Sequence, residues 1–358
     1  MRRRHALFLL AGVGILAAAL LVALLRSKPE ALYEATLLPT LGGVPVVPHA
    51  INDRGQIVGA AEVKPGRFRM ILWDKDRGLQ DLGPWARYEG SIRLGINNAG
   101  QIAGTVVDAN GVGRAFLQDP NGTKRLLLGP AGRATVATAL NNRGEVVGYY
   151  ETAAKPRHAC IWDRTGRMTD LGTLGGIESL ACSINDRGQV AGASGVRGPA
   201  WQAFLWDPNS GMTGLGPDPR HMTTSCYINN KGLVAGGFGS TEGIWGISVW
   251  TRSAGLQRLD APGSTLPETE VAGLNDAGQV LVNTGRSGFH VLGRVFFGER
   301  ASYLYDPYGG CVALERHLAG PKGIVYFIAA AINNQGQIVG TLFIEGVGWS
   351  GAILEPIK

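Results

Sequence analysis

Cysteine is scarce in this chain, with four residues in 358. Small exported domains without a sufficient core are usually disulfide-rich, and this composition excludes that class. A chain of this length can bury an adequate core without cross-links. Cys182 and Cys226 occupy one position of an internal repeat, three residues before its Asn. We expect small buried side chains there, and the spacing leaves a bridge between neighbouring repeats open.

Excess charge is also absent once the first 30 residues are set aside. The net charge is +6, from 34 basic and 28 acidic residues. Five of the basic residues and one acidic residue lie in residues 1–30, which leaves 29 and 27 in the remainder. No basic run occurs there, so we predict no nucleic-acid partner.

The common catalytic motifs are missing as well. The sequence contains no Gly-x-Ser-x-Gly, no P-loop and no His-Glu-x-x-His. Its six histidines are far apart, and for His49, at the repeat position of the two cysteines, we expect a core or channel imidazole. We therefore predict no metal site, no cofactor and no catalytic residue.

Long hydrophobic runs are limited to one, at residues 6–25. As a helix, these 20 residues would span about 30 Å, the thickness of a bilayer core. The stronger basic cluster precedes the run, which predicts an N-terminus in the cytoplasm and export of the rest. Residues 1–30 are thus a membrane anchor or a cleaved signal peptide, and the continuing apolar residues favour the anchor.

A short phrase of the type I-N-D-R-G-Q-I-V-G occurs seven times in residues 31–358. Its Asn residues are Asn52, Asn97, Asn141, Asn185, Asn229, Asn275 and Asn333. The spacing is close to 44 residues except for a final interval of 58. A period of this length indicates a repeat array such as a β-propeller.

One repeat accommodates four short strands. Around Asn185, alternating strands are predicted at 180–184, 189–192, 203–207 and 212–216, with turns between them. This is the content of one propeller blade. Large and small residues alternate before the Asn, which places the first strand next to the central axis.

The repeated turn indicates a structural role. Gly occurs three residues after every Asn, as a left-handed turn position requires. The residue directly after the Asn is Asp in three copies and Asn in four. A calcium site would select carboxylates there, whereas a backbone cap accepts either residue. The alternation therefore favours the cap.

The chain ends complement one another. Residues 36–43 resemble the fourth strand and link at 169–176, while the chain stops at a third strand, 351–355. We predict an all-β, seven-bladed propeller of four-stranded antiparallel blades, closed by the N-terminal strand and preceded by one N-terminal transmembrane or signal helix. Closure removes exposed sheet edges, and we expect a monomer.

Several segments resemble the bacterial extracellular HAF repeat family. They are residues 158–163 (H-A-C-I-W-D), 202–207 (Q-A-F-L-W-D), 114–117 (R-A-F-L) and 170–176 (D-L-G-T-L-G-G), together with the I-N-D-x-G-Q phrase. The likeness extends over nearly all of residues 35–355. The resemblance implies an exported repeat protein, and it implies no activity that can be assigned to named residues. No copy keeps an intact His-Ala-Phe, so His158 is not assigned a role from it.

Aromatic residues recur 16 positions after the Asn in four repeats. They are Phe68, Trp201, Trp245 and Trp349. This position lies where the loop between the second and third strands meets the third strand. Packing between blades explains such residues, and so does a row of stacking platforms for a sugar or an apolar ligand on one rim.

The long sixth interval contains two insertions on the same rim. About nine extra residues lie between Asn283 and Ala301, and about five more in 321–327. Long loops on a rigid scaffold often carry function. Candidate ligand-binding residues here are Arg286, His290, Arg294 and Arg300, and a plain surface hairpin is the alternative.

The leading functional prediction is an extracytoplasmic binding or interaction domain for a glycan, a small molecule or a protein, with a membrane contact through the N-terminal helix. A rim-site enzyme acting on glycans or envelope substrates is one alternative. A purely structural surface protein is another, because a fold alone does not determine function.

Overall fold

The computed structural model describes residues 30–85, 94–154, 156–198, 200–216, 222–239, 245–259, 268–285, 289–291, 294–296, 300–307 and 310–357. Over these residues the chain is all β, apart from two short 3-10 turns at Pro130–Gly132 and Leu314–His317. Seven sheets form the blades of a seven-bladed propeller, and they are antiparallel apart from one short outer strand in the last blade. The propeller part of the predicted fold class is thereby confirmed.

Each blade is built from strands that are consecutive in the chain, except in blade 6, which has an insertion, and in blade 7, where the ring closes. Blade 1 contains β2 (Val47–Ile51), β3 (Ile57–Lys64), β4 (Arg67–Asp74) and β5 (Gly78–Trp85). Blade 2 contains β6 (Gly95–Ile96), β7 (Ile102–Val107), β8 (Gly113–Gln118) and β9 (Lys124–Leu127). Blade 3 contains β10 (Thr135–Leu140), β11 (Val146–Glu151), β12 (Arg157–Trp162) and β13 (Met168–Gly172). Blades 4 and 5 contain β14 (Ser179–Ile184), β15 (Val190–Gly195), β16 (Trp201–Asp207) and β17 (Gly211–Gly214); and β18 (Met222–Ile228), β19 (Val234–Gly239), β20 (Trp245–Thr251) and β21 (Gly255–Leu259).

Blade 6 contains an inserted hairpin, and blade 7 contains the closure. The strands of blade 6 are β22 (Glu268–Leu274), β23 (Val280–Gly285), β26 (Arg300–Asp306) and β27 (Gly310–Ala313), with the hairpin β24 (Phe289–Val291) and β25 (Arg294–Phe296) between β23 and β26. Blade 7 consists of β29 (Ile324–Ile332), β30 (Ile338–Ile344), β31 (Gly348–Pro356) and β1 (Tyr33–Leu37), with a short outer strand β28 (Leu318–Ala319).

The first strand of each blade is innermost, as the sequence predicted, and the antiparallel order defines two rims. The seven Asn-x-x-Gly turns join first to second strands at one rim, which we call the Asn rim. The loops between second and third strands lie at the other, the loop rim, together with the links between blades.

The N-terminal strand closes the ring as predicted. β1 pairs antiparallel with β31, from Tyr33 opposite Pro356 to Leu37 opposite Ala352. Tyr33 and Ala35 are buried in the cluster of blades 6 and 7. The pairing begins three residues earlier than the sequence comparison suggested. The edge of β31 is therefore covered by the other end of the chain.

Apolar side chains fill the spaces between neighbouring blades. Phe116, Trp162, Phe204 and Phe327 are fully buried. They lie in four different clusters, and each cluster contains residues of two adjacent blades. The apolar side chains that alternate along the strands, from which the blades were predicted, therefore also form the contacts between blades.

The repeated glycine has the predicted conformation. In all seven turns its φ lies between 75° and 90°, the left-handed region that residues with a Cβ rarely occupy. Its N–H donates to the carbonyl oxygen of the repeat Asn at 2.9–3.2 Å.

The seven repeat Asn side chains form a closed ring around the axis. Each is 3–4% exposed. Each Nδ2 donates to the backbone oxygen of the equivalent Asn in the next blade at 2.9–3.2 Å, and Asn333 returns to Asn52. Oδ1 accepts from backbone N–H groups within its own turn, as at Asn52 from Arg54 and Gln56. The side chain thus caps one blade and binds the next.

The residues that follow form a second ring. Their order is Asp53, Asn98, Asn142, Asp186, Asn230, Asp276 and Asn334. Each backbone N–H donates to the side-chain Oδ1 of the next blade at 2.7–2.9 Å. No two Asp residues are adjacent, and Asn Nδ2 groups donate to the second oxygen of the carboxylates. Asp and Asn are thus distributed around the ring so that each carboxylate has an Asn on both sides.

The position three before the Asn is a β-bulge in most inner strands. In blades 1, 3, 4, 6 and 7 the pairing with the second strand skips this residue. The four cysteines are free thiols. Cys182 packs against the cluster that holds Cys226. The hydrogen bond between Cys182 and Cys226, together with burial, raises the pKa of the Cys226 thiol well above the ordinary value of a cysteine.

The apolar segment at residues 6–25 and its basic flanks lie outside the described residues, so the anchor and its orientation remain predictions. Among the residues that the structure describes, no helix has the length and apolarity needed to cross a membrane.

Candidate functional site

The four recurring aromatic residues lie at the loop rim, each near the start of a third strand. Phe68 is in β4, Trp201 in β16, Trp245 in β20 and Trp349 in β31. Phe68, Trp201 and Trp349 are partly buried, and the Trp245 side chain lies outside the described residues. The structure brings these positions to one rim, as the repeat spacing predicted. A role in binding remains a prediction.

Phe68 belongs to the interior of its blade more than to the surface. Its ring meets Trp85 edge-on at 6.5 Å. Trp85 is 2% exposed and its Nε1 donates to the Thr105 carbonyl at 2.8 Å. His49 meets the same indole at 5.6 Å. These contacts fit the packing interpretation for this position.

Trp349 is part of a partly exposed aromatic row. Its ring centroid is 5.3 Å from that of Phe343, which is 6.3 Å from that of Tyr326. The three residues are opposite one another across β31, β30 and β29. The repeat spacing reveals only Trp349, because Phe343 and Tyr326 have no aromatic equivalents in the other repeats.

The blade 6 insertion forms a hairpin at the loop rim. In β24 and β25, His290 pairs with Val295 and Val291 with Arg294, while Arg300 begins β26 opposite Gly285. Arg286 and the side chains of His290, Arg294 and Arg300 lie outside the described residues. Their part in a site remains a prediction.

A cavity of about 280 Å³ lies beside the axis towards the loop rim. Inner strands of three consecutive blades form most of its walls, and the second strand of blade 7 contributes Thr341. Its lining residues are Val47, Pro48 and His49 of blade 1, Glu270 and Ala272 of blade 6, and Ile328, Ala329, Ala330 and Thr341 of blade 7. His49, Ala272 and Ala330 are all bulge residues. Bulges re-aim side chains; His49 lines this cavity, and its ring also meets the buried Trp85.

Glu270 is held at the cavity by a chain of hydrogen bonds. Its Oε1 accepts from Asn283 Nδ2 at 3.3 Å. The same Nδ2 donates to the Ala329 carbonyl at 2.9 Å, and Asn283 Oδ1 accepts from Ser302 Oγ at 2.7 Å. Ser302 Oγ is in turn within 2.7 Å of the Phe327 carbonyl oxygen. The carboxylate is exposed at the cavity, while its support is anchored in two blades.

The Asn rim has a smaller recess of about 180 Å³, lined by the two rings. Its polar groups are bonded to one another from blade to blade. Within the described part of the chain, no group of three or more His, Cys, Asp or Glu side chains is placed to hold a metal ion. The polar side chains that line this recess are therefore already engaged in the two rings.

His158, from the segment that resembles the HAF repeat, takes part in a cross-strand cluster of blade 3. Its Nδ1 is 3.1 Å from Asp170 Oδ2, which also accepts from the Tyr150 hydroxyl at 2.9 Å. Burial, followed by this hydrogen bond, raises the pKa of Tyr150 to about 12. Blade 1 has Arg69 and Asp81 in the same places, joined by an ion pair. Because blade 1 has Arg at the position where blade 3 has His, and both contact an Asp, we interpret the His158–Asp170 contact as a structural pair.

Comparison with known proteins adds the fold and nothing narrower. No family model matches the sequence, and no curated protein matches it. Among solved structures, puromycin hydrolase is 13% identical over 87% of this chain and 52% of its own, with a TM-score of 0.61. A catalytically inactive virginiamycin B lyase from Staphylococcus aureus, bound to quinupristin, is 10% identical over 91% of this chain and 100% of its own, with a TM-score of 0.60.

A streptogramin B lyase is similar to the same degree, with 9% identity over 91% of this chain and 98% of its own and a TM-score of 0.58. The chain spans about half the length of the puromycin hydrolase it matches. At these identities the likeness establishes the propeller fold, and the activities in the names belong to those proteins.

Proposed function

We propose that residues 31–358 form an extracytoplasmic binding domain that takes its ligand at the loop rim. The observation that carries the proposal is the contrast between the two rims. The loop rim has a cavity, an aromatic row beside it and an inserted hairpin. The recess of the Asn rim is lined by polar side chains that are engaged in two closed rings. Binding sites are typically concave, with a few polar groups in an apolar lining.

A ligand screen on the full-length protein tests this proposal. Glycans, small molecules and peptides would be screened by binding, and each hit would be measured again with Trp349→Ala and Trp201→Ala. Loss of a stacking contact is worth about 0.5–1.5 kcal/mol beyond its buried area, so affinity should fall several-fold. Arg54→Ala, an exposed change on the Asn rim, is the matched control and should leave affinity unchanged.

Two outcomes would contradict the binding proposal. One is a ligand whose affinity responds to Arg54→Ala and to neither Trp variant. The other is a loss of stability of about 3–5 kcal/mol in both Trp variants, the cost of truncating a buried aromatic residue, with no change in affinity. Turnover of a bound compound would support the rim-site enzyme instead.

Export is the second part of the proposal and is supported by the apolar run at 6–25 with its basic N-terminal flank. A reporter that is active only outside the cytoplasm, fused after Lys358, should be active. Removal of residues 2–29 should abolish that activity. Activity solely from a cytoplasmic reporter would reverse the assignment.

A further inference from the structure

We propose that the loop-rim cavity binds a small organic cation, an amine whose ammonium group contacts Glu270 and whose apolar body lies on the blade 7 wall. This inference rests on the proposed binding function and names the class of ligand.

The size of the cavity limits the ligand. Its volume of about 280 Å³ is just below the range of about 300–1,000 Å³ typical of small-molecule pockets. A polymer could enter only by one terminal group. A single small ring or a short chain with one polar head fits the space.

The charge of the lining selects the head group. Among the described residues that line the cavity, Glu270 is the one acidic residue and none is Lys or Arg. Within the described residues, none of the ion pairs involves Glu270. The Asn283 amide that holds the carboxylate is a neutral donor and does not itself neutralise the negative charge. A carboxylate at an apolar wall favours a cationic donor.

The blade 7 wall provides the surface for the apolar body. Ile328 and Thr341 are opposite one another and line the cavity. Tyr326 and Phe343 form the next pair on the same face, because side chains alternate along a strand. Trp349 follows on β31. The aromatic row therefore extends the cavity wall towards the rim. The faces of aromatic rings attract cations, and their area attracts apolar groups.

The test compares three probes of one shape: 2-phenylethylamine, 2-phenylethanol and 3-phenylpropanoate. On the full-length protein at pH 7, the amine should bind about tenfold or more tightly than the alcohol, the gain expected of one charge-assisted hydrogen bond. The carboxylate should bind most weakly. Glu270→Gln should lower the affinity for the amine to that for the alcohol. Glu34→Gln, which removes an exposed carboxylate on β1 far from the cavity, should leave the preference intact.

A cavity-filling variant, Ala330→Phe, should abolish binding of all three probes, with melting checked for each variant. Equal affinity for amine and alcohol in the unchanged protein would overturn the cation assignment and leave the binding function standing. Failure of all three probes, alongside a loop-rim ligand from the screen, would overturn the cavity as the site. Absence of any loop-rim ligand would overturn the proposed function itself.

Discussion

At the residue scale, two neighbouring polar residues of the repeated turn have different roles. The first, always Asn, bonds within its own turn and to the next blade. The second is Asp or Asn, and its side chain accepts from the backbone of the preceding blade. The first role needs both an amide donor and an oxygen. The second needs an oxygen, which either residue supplies.

We expect Asn97→Ala to lower the free energy of unfolding by about 2–4 kcal/mol, since it leaves buried backbone groups without partners. Asn97 donates to the Asn141 carbonyl and accepts from the N–H groups of Ala99 and Gln101. Chemical denaturation measures the change. Asn121→Ala is the control, because that exposed side chain accepts one bond, from Thr123. Equal losses in the two variants would argue against a stabilising ring.

The second ring predicts a graded effect of added charge. Asn98→Asp places one new carboxylate next to Asp53, whereas Asn230→Asp places one between Asp186 and Asp276. We expect a loss of about 1–2 kcal/mol per like-charged neighbour at pH 7, so the second variant should lose about twice as much.

The pH dependence of these variants gives a second measurement. Repulsion raises the pKa of the introduced carboxyl in the folded state. The penalty is then full above that raised pKa and shrinks as the pH falls through it towards the unfolded value. Denaturation at pH 5 and pH 8 should show this relief, while Asn121→Asp should show little. Equal losses in Asn98→Asp and Asn230→Asp would contradict the ring explanation.

The alternation of Asp and Asn was visible in the sequence, but its reason was not. The alternation indicated that the polar residues of the turn cap its backbone. The hydrogen bonds within each turn confirm this role for the first of the two residues, the invariant Asn. The partners of the second residue lie in another blade, about 44 positions away. One repeat read alone therefore cannot reveal them.

At the scale of elements, the four strands of each blade were predictable from alternation and turn residues, while the bulges were not. Alternation predicts that the residue three before the Asn shares a face with the Ile or Leu that precedes the Asn. A bulge interrupts this parity, which is why His49, Ala272 and Ala330 meet at one cavity. Glu270 had no repeat signal at all. The candidate cavity could therefore not be predicted from the sequence.

The blade 6 hairpin should be dispensable for folding. β23 and β26 already pair from Val280 opposite Tyr305 to Gly285 opposite Arg300, so the blade sheet is complete without it. Replacing residues 287–298 by a short Gly-containing turn should change the melting temperature by less than about 3 °C. A collapse of stability in a thermal scan would show that the insertion is structural and not a binding loop.

At the scale of the whole molecule, closure joins the two ends of the chain and was predicted from them. Deleting residues 31–43 removes β1 and exposes the edge of β31. We expect aggregation, or a melting temperature lower by about 10 °C or more. Deleting residues 2–29 instead removes none of the described strands and should leave melting unchanged. Equal melting of the two deletions would contradict closure by β1.

The direction of β1 also determines which way the propeller would be presented. β1 begins at the Asn rim, where Tyr33 is opposite Pro356, and runs towards the loop rim. The chain just before it is tied down, because His317 Nδ1 lies 2.9 Å from the Glu30 carbonyl oxygen and the Leu32 N–H donates to the His317 carbonyl. If residues 6–25 are retained as a membrane anchor, only a few residues would connect the anchor to this fixed point of the propeller. The propeller would stand with its Asn rim towards the bilayer and hold the mouth of the loop-rim cavity outward, away from the lipid.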